Sequence, residues 1–180
     1  PEEIAEECQL VVVGVDPTGS KEGHGTGIVV GGRIGKMGYL LADRSKDNAT
    51  PNGWAEAVID AYDEFDANYV VVERNYGGDM VANTVRLVAQ IKEHPPIPIK
   101  EVRATRGKTV RAEPVSGLVQ QGYIKHIGEF SRLEDQLYAL ASGESDDRAD
   151  GYVWTFTDLL GHIIKRIKPY AGNGRVTRVD

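Results

Sequence analysis

The sequence predicts an α/β fold, a mixed β-sheet with helices on both faces. Three observations lead there. Leu10–Val15 and Tyr69–Glu73 are short β-branched runs, apolar almost throughout, as strands covered on both faces are. Three early strand-like segments follow one another with short turns between them. The pattern then alternates helix, strand, helix, strand, helix, the order of a layered α/β domain.

The 180 residues fall within the size of one domain. Hydrophobic residues at 41% and charged residues at 27% exclude general disorder. No apolar run reaches the roughly 20 residues that span a bilayer, and no signal-peptide pattern opens the chain, so no membrane association is expected. One cysteine, Cys8, makes neither a disulfide nor a Cys-rich zinc site, which fits a reducing, intracellular setting. Pro1 in place of Met suggests a piece of a longer protein.

Residues 1–9 are acidic and read as a solvated lead-in or linker remnant. Leu10–Val15 is the first strand, stopped at Asp16-Pro17-Thr18-Gly19-Ser20. Gly23-His24-Gly25-Thr26-Gly27 reads as a hairpin turn, because no helix follows it. Thr26–Ile34 and Lys36–Leu41 are two further strands around Gly35. Pro51 after Thr50 opens a helix, with Trp54, Val58, Ala61, Tyr62 and Phe65 at helical spacing. Tyr69–Glu73 is a fourth strand. Gly77-Gly78-Asp79 leads into a helix carrying Met80, Val81, Thr84, Leu87, Val88 and Ile91, which Pro95-Pro96 breaks. Ile97–Val102 is a fifth strand, and a helix follows from about Thr109 to Gln121. Residues 123–127 form a short strand. Helices at about Ser131–Ala141 and Arg148–Ile164 close the domain, with Ser142–Asp146 linker-like between them and a basic tail at 166–180.

The net charge of −6 hides a strong segregation. Residues 1–70 sum to −8, residues 71–126 to +4, residues 127–160 to −6 and the last twenty to +4. Exposed charges are screened within about 8–10 Å, so a basic segment of an acidic protein can still hold a polyanion. Lys100 to Arg111 contains five cations in twelve residues. Such a segment suits phosphate contacts, which position a duplex without reading its sequence; a solvated loop and helix start explains it as well. Gly107-Lys108-Thr109 is not a P-loop, because Val102 stands where the motif needs glycine.

Ligands of such sheets bind beyond the carboxyl ends of the strands. Asp16 ends the first strand and Glu73 the fourth, and parallel neighbours would project both carboxylates at one end. Asp147 and Asp150, three apart, lie on one face of the last helix. Each also has a plainer account: an Asp-Pro turn, an exposed strand end, a helix cap with an acid favouring the dipole. The conjunction is what points to chemistry. Converging carboxylates repel unless a cation neutralises them, and all-oxygen donors select Mg²⁺ or Mn²⁺ over zinc. Two such ions about 3.5–4 Å apart suit phosphodiester hydrolysis. His24, His94, His126 and His162 are scattered and support neither zinc nor a triad. Tyr152 and Trp154 read as helix packing.

The runs VVVGVDP, VVVERNYGGDMV, VRATRGKTVRAEPV and DDRADGYVWT resemble, in this order, segments of the large terminase subunits of tailed phages. The resemblance spans about residues 10–165 and is to the C-terminal nuclease domain, with an RNase H-like fold related to RuvC-type resolvases. It implies a metal-dependent endonuclease that cuts concatemeric double-stranded DNA in the host cytoplasm during virion assembly. Two Mg²⁺ or Mn²⁺ ions would sit on Asp16, Glu73, Asp147 and Asp150, with Asp146 a weaker neighbour. Arg106, Lys108 and Arg111 would hold DNA phosphates. The small terminase subunit and the portal would be partners, as would an N-terminal ATPase motor domain, whose Walker motif this chain lacks. Gly151 stands where many relatives have Ala, at a cost of about 1 kcal/mol in a helix interior. A junction-resolving nuclease and a non-catalytic docking or DNA-binding module of the same fold are the alternatives.

Overall fold

The computed structural model describes residues 1–17, 25–74, 80–103, 108–141 and 147–165. Its elements are α1 (Glu2–Glu7), β1 (Leu10–Pro17), β2 (Thr26–Ile34), β3 (Met37–Asp43), α2 (Pro51–Glu64), β4 (Tyr69–Glu73), α3 (Met80–Ile91), β5 (Ile99–Val102), α4 (Lys108–Gln120), β6 (Ile124–His126), α5 (Ser131–Ala141) and α6 (Asp147–Ile164). The six strands form one mixed sheet in the order β5-β4-β1-β2-β3-β6. β2 runs antiparallel to β1 and β3, and the other neighbouring pairs are parallel. The carboxyl ends of β1, β3, β4, β5 and β6 therefore share one edge with the start of β2.

Strand pleating sorts the core into two layers, because successive side chains point to opposite faces. Val11, Val13 and Val15 of β1, with Val70 and Val72 of β4, pack under α2 and α3 against Trp54, Val58, Val85 and Val88. Val12 and Val71 face the other way, under α4, α5 and α6, against Leu118, Leu133, Phe156 and Leu160. By the same alternation, Asp16 and Glu73 fall on the α6 face.

Local signals account for the boundaries. The Thr50 hydroxyl caps α2 by accepting the Gly53 N–H at 3.2 Å, and Pro51 starts the helix where no donor is needed. β1 runs through Asp16 to Pro17 instead of stopping at Val15, because its antiparallel ladder to β2 continues to Pro17–Thr26. Gly27 accordingly lies inside β2, not in a turn. Residues 1–9, expected as a solvated lead-in, carry α1, and Ile4, Ala5 and Cys8 pack against the α2–α3 core layer. The Ser142–Asp146 segment and the 166–180 tail lie outside the described residues.

Candidate active site

The strand ends come together first. The parallel ladder of β1 and β4 reaches Val15–Val72, so Asp16 and Glu73, one residue further along each strand, stand abreast. Asp16 is 6% exposed. α6 then crosses this end of the sheet, and glycines let it come close. A Cβ on Gly14 would stand 2.0 Å from Thr155 Oγ1, and one on Gly27 only 1.9 Å from the Asp147 carbonyl oxygen. Gly27 pairs with Asp16 across β1 and β2, so the first turn of α6 lies beside Asp16. Gly151 contributes to the same approach, since a Cβ there would meet the Gly27 backbone at 3.3 Å. That is a packing reason for glycine at a position where helix propensity argues against it. Asp150, in this first turn, is 3% exposed.

Glu73 is engaged on both carboxylate oxygens. Trp154 Nε1, one turn beyond Asp150, donates to Oε2 at 3.1 Å. Arg111 of α4 brings Nη1 to 3.3 Å from Oε1, and its guanidinium lies over the Trp154 ring at 4.4 Å. The arginine is nearly out of water, its side chain only 12% exposed. Its Nε and Nη1 are buried and make no hydrogen bond among the described residues, so the contact with Glu73 is one of charge at an angle that no N–H follows.

On the other flank, Arg148 fastens the start of α6. Nη1 donates to Asp43 Oδ2 at 2.8 Å and Nη2 to Asp47 Oδ1 at 2.7 Å. Arg132 of α5 donates to the second Asp47 oxygen at 2.8 Å. Burial alone would lower the Arg148 pKa, but Asp43 and Asp47 outweigh it and hold the guanidinium charged more firmly than usual. Beside this network a cavity of about 200 Å³ is lined by Gly25, Thr26, Ser45, Asp47, Gln136, Asp147 and Arg148.

Asp16, Glu73, Asp147 and Asp150 thus gather at one end of one face of the sheet. Among the described residues, no three acidic, histidine or cysteine side chains converge tightly enough to enclose an ion. Glu73 is turned to Trp154 and Arg111, and Asp43 and Asp47 to Arg148. The donor set nevertheless fits a hard divalent cation: all oxygen, with Asp16 and Asp150 both buried at the sheet edge where strand ends and a helix start meet.

The expected row of phosphate-binding cations is not continuous. Lys100 Nζ is 2.6 Å from Asp158 Oδ1, an aspartate that also accepts the Tyr69 hydroxyl at 2.7 Å. Arg106 lies outside the described residues. Lys108 opens α4, and its side chain is likewise outside them. Arg111 faces Glu73 and not solvent. Sequence reasoning missed Asp43, Asp47 and Arg148 as a unit, and took Trp154 for packing alone. Tyr152 does pack, and its hydroxyl lies 3.1 Å from His126 Nε2.

A six-stranded mixed sheet with this strand order, and acids at the ends of its central strands beneath an acid-bearing helix, defines an RNase H-like domain. The chain belongs to the terminase RNaseH-like domain family, which matches residues 13–158. No curated protein sequence matches it significantly. Among solved structures it is similar to the human cytomegalovirus terminase nuclease domain in a manganese-soaked, inhibitor-bound form. That likeness has a TM-score of 0.65 at 16% identity and covers 88% of this chain and 86% of the other. It is also similar to the large terminase nuclease of thermophilic phage G20c, with a TM-score of 0.60 at 15% identity over 82% of this chain and 81% of that one.

Proposed function

We propose that this domain is a divalent-cation-dependent endonuclease that cuts concatemeric double-stranded DNA for a viral packaging terminase. The observation that carries the reading is the meeting of Asp16 and Asp150, both buried, with Glu73 and Asp147 at one edge of one sheet face. Carboxylates that converge on one sheet edge repel one another, and a divalent cation among all-oxygen donors offsets that repulsion. Membership of the terminase family and likeness in fold to two terminase nucleases support it.

In this reading Asp16, at the end of a central strand, would hold the ions together with Glu73, Asp147 and Asp150. Two Mg²⁺ or Mn²⁺ ions, when bound, supply Lewis-acid stabilisation of the phosphoryl oxygens and a more acidic water. The protein supplies orientation: the close contacts of α6 with Gly14 and Gly27 set its height over β1 and β2, and Arg148 holds its first turn in place. Arg106 and Lys108 hold DNA phosphates, a contact that carries no sequence information. The motor domain, small subunit and portal would deliver the DNA in the host cytoplasm.

The test is cleavage of supercoiled plasmid with Mg²⁺, Mn²⁺ or EDTA, wild type beside Asp16→Asn. Nicking and linearisation should need the ion and vanish in the variant, while the variant stays folded. Cleavage that persists in Asp16→Asn would sink the reading. The engagement of both Glu73 oxygens favours a second account, a non-catalytic docking module. That account requires that Mg²⁺ leave the melting temperature unmoved, whereas binding to the native state raises it by mass action.

A further inference from the structure

Both oxygens of Glu73 are taken, and the two partners differ in kind. The Trp154 indole N–H is neutral and makes an ordinary hydrogen bond at 3.1 Å. The Arg111 guanidinium is a buried cation held by charge and by the ring face of Trp154. Among the described residues Nε and Nη1 make no hydrogen bond, and Glu73 and the indole face are the described partners that offset the desolvation of Arg111. A divalent cation drawing on Glu73 would take the counter-charge from Arg111 and set two cations against one carboxylate. The indole hydrogen bond faces no such conflict, because a neutral donor to one oxygen leaves the charge available.

We propose that Arg111 is a positioning residue that competes with the metal for Glu73, while Trp154 fixes the orientation in which the carboxylate is released. The inference rests on the metal-dependent reading above. Arg111 acts through Glu73 and sets the cation concentration at which the site fills. The same contact explains why a cation of the basic segment lies buried against an acid instead of facing solvent.

Trp154 itself reports the event, since its indole touches both partners. Trp54, the other tryptophan, lies in the core on the opposite face of the sheet, so an emission change on adding Mg²⁺ reads Trp154. The experiment is a Mg²⁺ titration of the 180-residue chain, followed by tryptophan emission and by calorimetry. It compares wild type, Arg111→Gln, Arg111→Lys, Glu73→Gln, the Arg111→Gln/Glu73→Gln pair and Asp16→Asn. The Arg111→Gln midpoint should fall at least three-fold, with Arg111→Lys, which keeps the charge but not the flat stack, lying between. In the Glu73→Gln background, Arg111→Gln should change the midpoint less than two-fold, which a merely structural role would not produce. An Arg111→Gln midpoint that is unchanged or raised, with Asp16→Asn still abolishing the response, overturns the role of Arg111 and leaves the nuclease reading standing. If Arg111→Gln does not fold, an unchanged or raised midpoint in Arg111→Lys has the same force. No Mg²⁺ response in wild type overturns both.

Discussion

The two faces of the sheet are made from the same strands and behave differently. Under α2 and α3 the contact is apolar from end to end, with Val11, Val13, Val15, Ile28, Val30, Val70 and Val72 against helix side chains. Under α6 it starts the same way, with Val12, Leu40 and Val71 against Phe156 and Leu160. It then turns polar at the strand ends, where Asp16, Asp43, Glu73, Arg111, Arg148 and Asp150 lie buried or nearly so. One face shows what folding alone asks of this sheet. The other departs from it only where the strand ends meet α6, and buried charge is a poor source of stability. The departure is the polar end on which the proposed metal-dependent reading rests.

The largest effect should come from cutting the polar end loose. Arg148 and Asp43 are 9% and 10% exposed in their side chains. Arg148→Ala strands Asp43 in a nearly dry position, and losses of about 3–5 kcal/mol follow when one partner of a buried pair is removed. Denaturant unfolding should show that loss, and Arg148→Met with Asp43→Val should recover most of it. Arg148→Ala should also reduce the melting shift that Mg²⁺ produces. Val58→Ala on the apolar face should cost about 2 kcal/mol through lost burial yet leave that shift intact. Equal Mg²⁺ shifts in the two variants would erase the distinction between the faces.

Next comes Gly27→Ala. The added methyl would fall on the Asp147 backbone carbonyl at 1.9 Å, which no rotamer change relieves. Overpacking of this kind costs about 1–3 kcal/mol, and a value near the upper end is expected here. Gly151→Ala meets the Gly27 backbone at 3.3 Å and gains helix propensity of about 1 kcal/mol. The two terms nearly cancel, so its stability should change by less than about 1 kcal/mol. A Gly27→Ala variant as stable as wild type would show that α6 is free to shift over the sheet.

Legibility in the sequence followed the same division. β1 and β4 were readable because strands covered on both faces are β-branched throughout, and β2 was read at its observed bounds although its Gly27 was also assigned to a hairpin turn. Asp16 and Glu73 were readable as strand-end acids, and Asp147 with Asp150 as one helix face. What pairs with them was not. Arg148 reaches Asp43 and Asp47 across more than 100 residues of chain, a separation at which local pattern is silent. Arg111 was grouped with solvent-facing cations because α4 has no clear apolar stripe and carries Pro114 inside it, so spacing does not say which face it takes. Gly14 and Gly27 were opaque for another reason. A strand glycine marks a turn, a bulge or a close approach equally well, and only the position of α6 decides among them.

The smallest effect tests the apolar face at its rim. His94, just beyond α3, sits between two acceptors: Asp63 Oδ1 is 2.9 Å from Nε2 and the Pro95 carbonyl oxygen 2.6 Å from Nδ1. Only the doubly protonated imidazolium donates to both. The hydrogen bond to Asp63 is the main cause that raises the His94 pKa, and the Pro95 carbonyl adds to it. Because the folded pKa lies above the unfolded one, the contribution to stability is fully present below the unfolded value. It is lost as pH rises through the folded value. His94→Gln should therefore lower stability at pH 5.5 by an amount that shrinks by pH 8.5. The amount should stay below about 1 kcal/mol, since Asp63 is 54% exposed and such pairs are screened by water. Urea unfolding at the two pH values, with Mg²⁺ titrations alongside, measures both sides of the comparison. A stability difference that grows toward pH 8.5 would reverse the assigned sign. A Mg²⁺ midpoint that moves in His94→Gln would show that the apolar face is not independent of the polar end, because no described contact links this rim to Asp16 or α6.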